Sequence, residues 1–263
     1  MGIQSSGKIA FVVAHPGHEL RLAHWFVVTK PFLFIIAKGS RSAYSEARIQ
    51  ASRNMATELG AVPVEPFGSV YDRVLYDWIL SGNSSSFGVL ADELRQAFVA
   101  RGVSLVVTDA WQNYNPVHDL THLLARVAAA EAGKQLRRPV EVLDYPVVQG
   151  ALARAPRGME RIRIALTEKQ VSDKLALIAR HPDIADEVSC LVAAAGRDIL
   201  EIETLHDTRP LTELAPTVDA PPLYECYGEM RVASGLYIEV LRWSHMTPIV
   251  TSLASRLAAA ERR

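Results

Sequence analysis

The chain has 263 residues, of which 49% are hydrophobic and 22% charged, with a formal net charge of -1. That balance is expected of one ordinary globular domain spanning 1–263, and it leaves no global basic or acidic footprint for nucleic acid or an acidic lipid surface. No apolar run reaches the ~20 residues of a membrane helix. The two cysteines, Cys190 and Cys226, lack metal-type spacing, so the expected setting is the reducing cytoplasm.

Lys8 to Ala14 is a continuous apolar run rich in β-branched residues and reads as a buried parallel strand. A helical pattern follows from Glu19 to Val28, then a second strand from Pro31 to Ala37 and a helix from Tyr44 to Leu59. Next come a helix from Val89 to Ala100, a strand from Val103 to Thr108, a helix from Leu120 to Ala132 and a strand from Val140 to Val148. Strands alternating with amphipathic helices predict βαβ units, hence a Rossmann-like three-layer α/β/α fold with a mainly parallel sheet. Beyond Gly150 the pattern changes. Thr167 to Arg180 reads as a helix with Thr167 and Gln170 forming a capping box, and Asp183 to Ala195 as another closed by Gly196. Arg209 to Pro222 carries four prolines and should be irregular, Gly235 to Trp243 is strand-like, and a helix rich in Ala and Leu ends the chain. Residues 1–150 are thus expected to form the sheet core, with 151–263 a cover over its C-terminal edge or a small subdomain.

The informative feature lies where two of these strands stop. The first ends in Ala14-His15-Pro16-Gly17-His18-Glu19, and about a hundred residues later comes Tyr114-Asn115-Pro116-Val117-His118-Asp119. Open α/β sheets bind ligands at such C-terminal strand ends. His15 and His18 stand three apart across the first turn, while His118 and His122 share a helical face. Three imidazoles with one open position make a known catalytic zinc arrangement, so His15, His18 and His118 are the candidate ligands of zinc or another divalent first-row metal. His24, His181, His206 and His245 have no such pairing and read as ordinary structural histidines. No G-x-G-x-x-G follows the first strand, so no nucleotide cofactor is expected.

Ala14 to Glu19 resembles the first motif of the PIG-L/LmbE-type zinc-dependent N-deacetylases, and Asn115-Pro116-Val117-His118 resembles their second. Ser40-Arg41 to Leu59 is similar to the family's second helix, and the resemblance extends over residues 8–135. It implies a metal-dependent hydrolase that removes an acyl group from a small molecule such as an amino sugar or a natural-product intermediate. His15 and His118 match two of the family's ligands, and His18 stands where the family has a ligand aspartate. Gly17 replaces the general-base aspartate, Asn115 the carbonyl-polarising histidine and Val117 its orienting aspartate. An all-imidazole ligand set is neutral, which should make the metal more Lewis acidic.

The missing base needs a surrogate. His122 and Asp119 are the foremost candidates, with Asp109, Glu225 and Glu229 behind them, and Asn115 can donate to an oxyanion through its amide. Glu19 is expected to point into the scaffold. Arg21, Arg41 and Arg48 could hold an anionic substrate group, and Tyr114 and Trp111 could wall a pocket for a sugar or aromatic ring. Two other readings stay open on this scaffold: an enzyme using the metal as Lewis acid, or a non-hydrolytic binding protein. The expected partner is a small-molecule substrate, with a homo-oligomer left open.

Overall fold

The computed structural model describes residues 7–39, 45–148, 157–181 and 184–262. Arg41 therefore lies outside the described residues, as do the expected starting residues Tyr44 and Asp183 of two helices.

Seven strands form one sheet in the order β3-β2-β1-β4-β5-β7-β6. The first five, β1 (Lys8–Val13), β2 (Phe32–Ala37), β3 (Val62–Val70), β4 (Val103–Asp109) and β5 (Glu141–Tyr145), run parallel. Then β7 (Ile202–Asp207) pairs antiparallel with β5, and β6 (Glu160–Ala165) antiparallel with β7. The strand order reverses between β1 and β4, which are neighbours in the sheet, and the crevice at their C-terminal ends is the usual ligand position of such a sheet.

Alternate side chains of each strand enter two different cores, as the two-residue strand period requires. Ala10, Val12, Phe34 and Val106 pack with α4 (Ser84–Arg101), α5 (Pro116–Leu136) and α10 (Trp243–Glu261) through Phe98, Leu124 and Leu253. Phe11, Val13, Leu33 and Val107 pack on the opposite face. There α1 (Ala23–Thr29), α2 (Ser45–Glu58) and α6 (Glu168–Ile178) contribute Trp25, Phe26, Met55 and Ile178. The result is the three-layer α/β/α architecture expected from the alternation.

Differences from the sequence expectation have local causes. The helix expected over Glu19–Val28 is a 3-10 turn, His18–Leu22, followed by α1. That second start is capped from afar, because Glu203 on β7 accepts the backbone N–H groups of His24 (3.0 Å) and Trp25 (2.9 Å). The strand β3 was hidden by Pro63, Pro66 and Gly68, which an edge strand tolerates. Gly235–Trp243 is not a strand: α9 (Leu223–Ala233) and α10 flank an irregular segment with no sheet neighbour. The proline-rich 209–222 connection is irregular as expected, apart from a short 3-10 turn at Leu211–Glu213 and an isolated bridge between Thr217 and Ala220. The capping box of α6 forms with Thr167 and Gln170. Strands β6 and β7 continue the sheet itself. Among the described residues no helix is long and apolar enough to cross a membrane.

A buried ion pair within the second half of the chain also grips the first half through backbone groups of Arg21, His24 and Trp25. Lys174 of α6 donates to Glu203 at 3.0 Å and to the Arg21 carbonyl at 2.7 Å, with both charged side chains almost wholly buried. Removing one member of such a pair strands the other, at a cost of about 3–5 kcal/mol. Lys174→Met should therefore lose about that much stability in a urea titration, and an unchanged midpoint would show that the pair contributes nothing.

Candidate metal centre

Two turns at adjacent strand ends carry the histidines. After β1 the chain turns at Gly17, whose φ of 100° lies in the left-handed region. Glu19, fully buried, clamps that turn by accepting the Gly17 N–H at 2.8 Å and the Ser52 hydroxyl. After β4 the chain enters α5 with Asn115 as N-cap and Pro116 at its first position, which sets φ for the helix without wasting a donor. Asn115 Oδ1 accepts the Val117 N–H at 2.8 Å, so its amide NH₂ is the end turned to other partners. His118 then stands in the first turn of α5.

The three rings meet. Among the described residues His15, His18 and His118 are the group brought close enough to share one ion, each offering a nitrogen within 4.8 Å of the others. His15 Nδ1 lies 3.1 Å from His118 Nε2. Two nitrogens bound to one tetrahedral zinc at ~2.0–2.1 Å would sit roughly 3.3 Å apart, close to that separation. The opposite edges are held by carboxylates, since His15 Nε2 donates to Asp72 at 2.8 Å and His18 Nδ1 to Asp109 at 2.7 Å. A carboxylate only accepts, so each imidazole carries a proton on that side, and in the neutral ring His15 Nδ1 and His18 Nε2 are the lone pairs. Burial, with the neighbouring His18 and His15, holds the His118 pKa well below its usual value and keeps that ring neutral. Burial would also depress His15, but the Asp72 carboxylate outweighs it and the net shift is upward. This donor set fits a borderline ion such as zinc and suits magnesium or calcium poorly.

The negative charge expected to be missing is therefore present one step out. An imidazole brings no negative charge of its own to an ion, but Asp72 and Asp109 stand directly behind two of these rings. Asp109 is fully buried and also accepts the Ala14 N–H (3.0 Å) and the Tyr145 hydroxyl (2.7 Å). Burial alone would raise its pKa, yet His18 and these donors hold it below the ordinary carboxylate value. Asp72 and Tyr145 were not singled out in the sequence. Asp72 opens α3 (Asp72–Leu80) just after β3, the strand whose prolines concealed it.

A cleft of about 670 Å³ opens over the histidines and is bordered by Arg21, Arg48, Tyr114, Asn115 and Asp72. Arg48 Nη2 donates to the Pro16 carbonyl at 3.1 Å, and Arg21 Nη1 to the Ile199 carbonyl of the short helix α8 (Asp198–Glu201) at 3.2 Å. Burial lowers the Arg21 pKa to about 10. Tyr114 lies 6.0 Å, ring to ring, from His118. Trp111 is buried, donates to Asn113 Oδ1 at 2.9 Å and does not border the cleft.

His122 and Asp119 are fully buried behind the centre and do not border the cleft either. His122 Nδ1 donates to the Asp109 carbonyl at 3.1 Å, and burial pulls its pKa to about 3. Asp119 Oδ1 accepts the N–H groups of Gln112 (2.8 Å) and Asn113 (3.3 Å), while Oδ2 finds no partner among the described residues, and burial pushes its pKa up to about 8. Glu225 and Glu229 both pair with Arg242. A Cβ at Gly17 would lie 2.6 Å from Ile184 Cδ1, so the space beside residue 17 is filled by α7 (Ile184–Ala195).

No protein-family model matches this sequence, and no curated protein matches it. Among solved structures it is similar to a deacetylase triple mutant, Orf2*T, of the teicoplanin biosynthetic pathway. That match has 16% identity and a TM-score of 0.46 over 73% of this chain and 87% of that one. The deacetylase–teicoplanin complex gives 14% and 0.46 over 76% and 100%. GalB, the 4-carboxy-2-hydroxymuconate hydratase from Pseudomonas putida KT2440, gives 16% and 0.41 over 77% and 97%. Matches at this level carry no chemistry across, and the centre rests on the distances within this chain.

Two measurements follow. Gly17→Ala should destabilise the protein by about 1–3 kcal/mol through its left-handed backbone, with a further steric part that Ile184→Ala relieves; equal thermal midpoints for wild type and Gly17→Ala would contradict this. The second concerns Asp119, whose carboxyl ionises near the ordinary 3.8 when unfolded and is pushed up to about 8 when folded. Unfolding then releases a proton between those values, so this group's stabilisation is full below about pH 4 and is lost as pH rises through 8. Asp119→Asn should flatten the fall in urea midpoint between pH 5 and pH 8.

Proposed function

We propose that this chain is a metal-dependent hydrolase, with zinc the leading candidate ion, acting on an N-acyl or amide-type carbon–nitrogen bond of a small molecule such as an amino sugar or a natural-product intermediate. The observation that carries the reading is the cluster of His15, His18 and His118 at the floor of an open cleft. Those three residues would hold the ion, which when bound supplies Lewis acidity and lowers the pKa of water to about 7.

The remaining roles belong to the protein's own groups. Asn115, fixed by its capping bond, borders the cleft, and its amide NH₂, also in hydrogen-bond contact with Tyr76, would be the donor to a carbonyl oxygen that gains charge; a donor of this kind contributes on the order of 10²–10³ in rate. Arg48 and Arg21 give the cleft positive charge for an anionic substituent, and Tyr114 offers a ring face to a sugar. No carboxylate stands at residue 17, which is glycine, and His122 and Asp119 are walled off from the cleft; of the two described carboxylates that border it, Asp72 is committed to His15 and Asp186 is exposed on α7. A positioned base contributes ~10²–10⁴-fold, so turnover should be slow by that factor. The same observation favours a second reading, in which the ion serves as Lewis acid in a reaction that requires no general base.

Elemental analysis of the untagged protein, beside His15→Ala, His18→Ala and His118→Ala, tests the reading together with a panel of N-acyl amino sugars. One equivalent of zinc, lost in all three variants, with metal-dependent release of amine, is the expected result. Absence of metal from protein supplied with it would overturn the proposal. Bound metal without amine release would favour the Lewis-acid reading.

A further inference from the structure

We propose that Asp72 and Asp109 are positioning residues of the metal centre, each holding one histidine in the tautomer that points its lone pair at the ion. The inference rests on the metal reading above and concerns the residues that make the site anionic. Both contacts are short and sheltered: His15 Nε2 to Asp72 Oδ1 is 2.8 Å and His18 Nδ1 to Asp109 Oδ2 is 2.7 Å. All four side chains are at least 87% buried, with 9% exposure each for His15 and Asp72, 13% for His18 and none for Asp109.

The two carboxylates come from elements unrelated to the histidine turns. Asp72 occupies the first position of α3, where the helix dipole favours an anion. Asp109 ends β4 and is fixed on two further sides by the Ala14 N–H and the Tyr145 hydroxyl. Each is thus placed before any ion arrives, and each imposes the same order on its histidine: proton outward, lone pair inward. Two anions standing behind the three rings also give the pocket a charge that a divalent cation balances. Partners of this type typically control metal affinity by 10–100-fold.

Asp72 is the cleaner residue to test, because Asp109 also anchors Ala14 and Tyr145. Zinc affinity is measured by competition with a chromophoric chelator for wild type, Asp72→Asn and Asp72→Ala. Asp77→Asn, exposed on the same helix, serves as the control. Nitrogen-15 correlation spectra of the metal-free proteins read the histidine tautomers. Asp72→Ala is expected to weaken zinc binding by about 10–100-fold and to release His15 from its Nε2–H tautomer. The isosteric Asp72→Asn keeps an acceptor and should lose less, and it remains informative if the alanine variant does not fold. Asp77→Asn should bind as wild type does, and His18 should be Nδ1-protonated throughout. Unchanged zinc affinity and an unchanged His15 tautomer in both Asp72 variants would overturn this inference alone. A wild-type protein that takes up no zinc would overturn the metal reading and this inference with it.

Discussion

A carboxylate without solvent contact must find every one of its partners inside the fold, and Asp109 is such a group. Its two oxygens receive the Ala14 N–H from the end of β1, the His18 ring from the following turn and the Tyr145 hydroxyl from the end of β5. Three neighbouring strand ends are thereby held to one anion, and the histidine turn has little freedom to take another shape. The orientation of His18 follows from satisfying that one side chain, and with it the approach of His18 to the other two rings.

The second half of the chain supports the same place from below. Glu203 on β7 caps α1 immediately after the histidine turn, and Lys174 of α6 neutralises it while bonding to the Arg21 carbonyl. On the cleft side, Ile184 of α7 occupies the space next to Gly17. The proline-rich connection is tied to the second turn, where the Leu223 N–H meets the Asn113 carbonyl at 2.7 Å and Asn113 donates to the Leu214 carbonyl at 3.1 Å. Residues beyond 157 therefore contribute strands, caps and walls to a histidine cluster whose members all precede residue 119.

Much of the site was legible because its signals are local. A β-branched apolar run that stops at a histidine is a strand end on any reading, and Asn-Pro before a helical pattern is a helix start. Asp72 was not legible. It follows a strand interrupted by two prolines and a glycine, and nothing in Val70-Tyr71-Asp72 distinguishes it from any helix-opening aspartate. His122 and Asp119 misled in the opposite sense. Their spacing from His118 suggested a shared role, but α5 is buried on most of its circumference, and residues three or four apart on such a helix need not face the same cleft.

By itself, the sequence determined the alternation of strands and helices, the mainly parallel sheet and the two turns that carry His15, His18 and His118. These depend on patterns within a dozen residues, where side-chain period and capping chemistry act directly. Only the tertiary structure decided which carboxylates stand behind those rings, which acids face the cleft, and that Ile184 fills the space beside Gly17. Such facts arise from contacts between segments 57 to 167 residues apart. Pairing at that separation is selected by burial and charge compensation in the folded chain, and no local pattern records it.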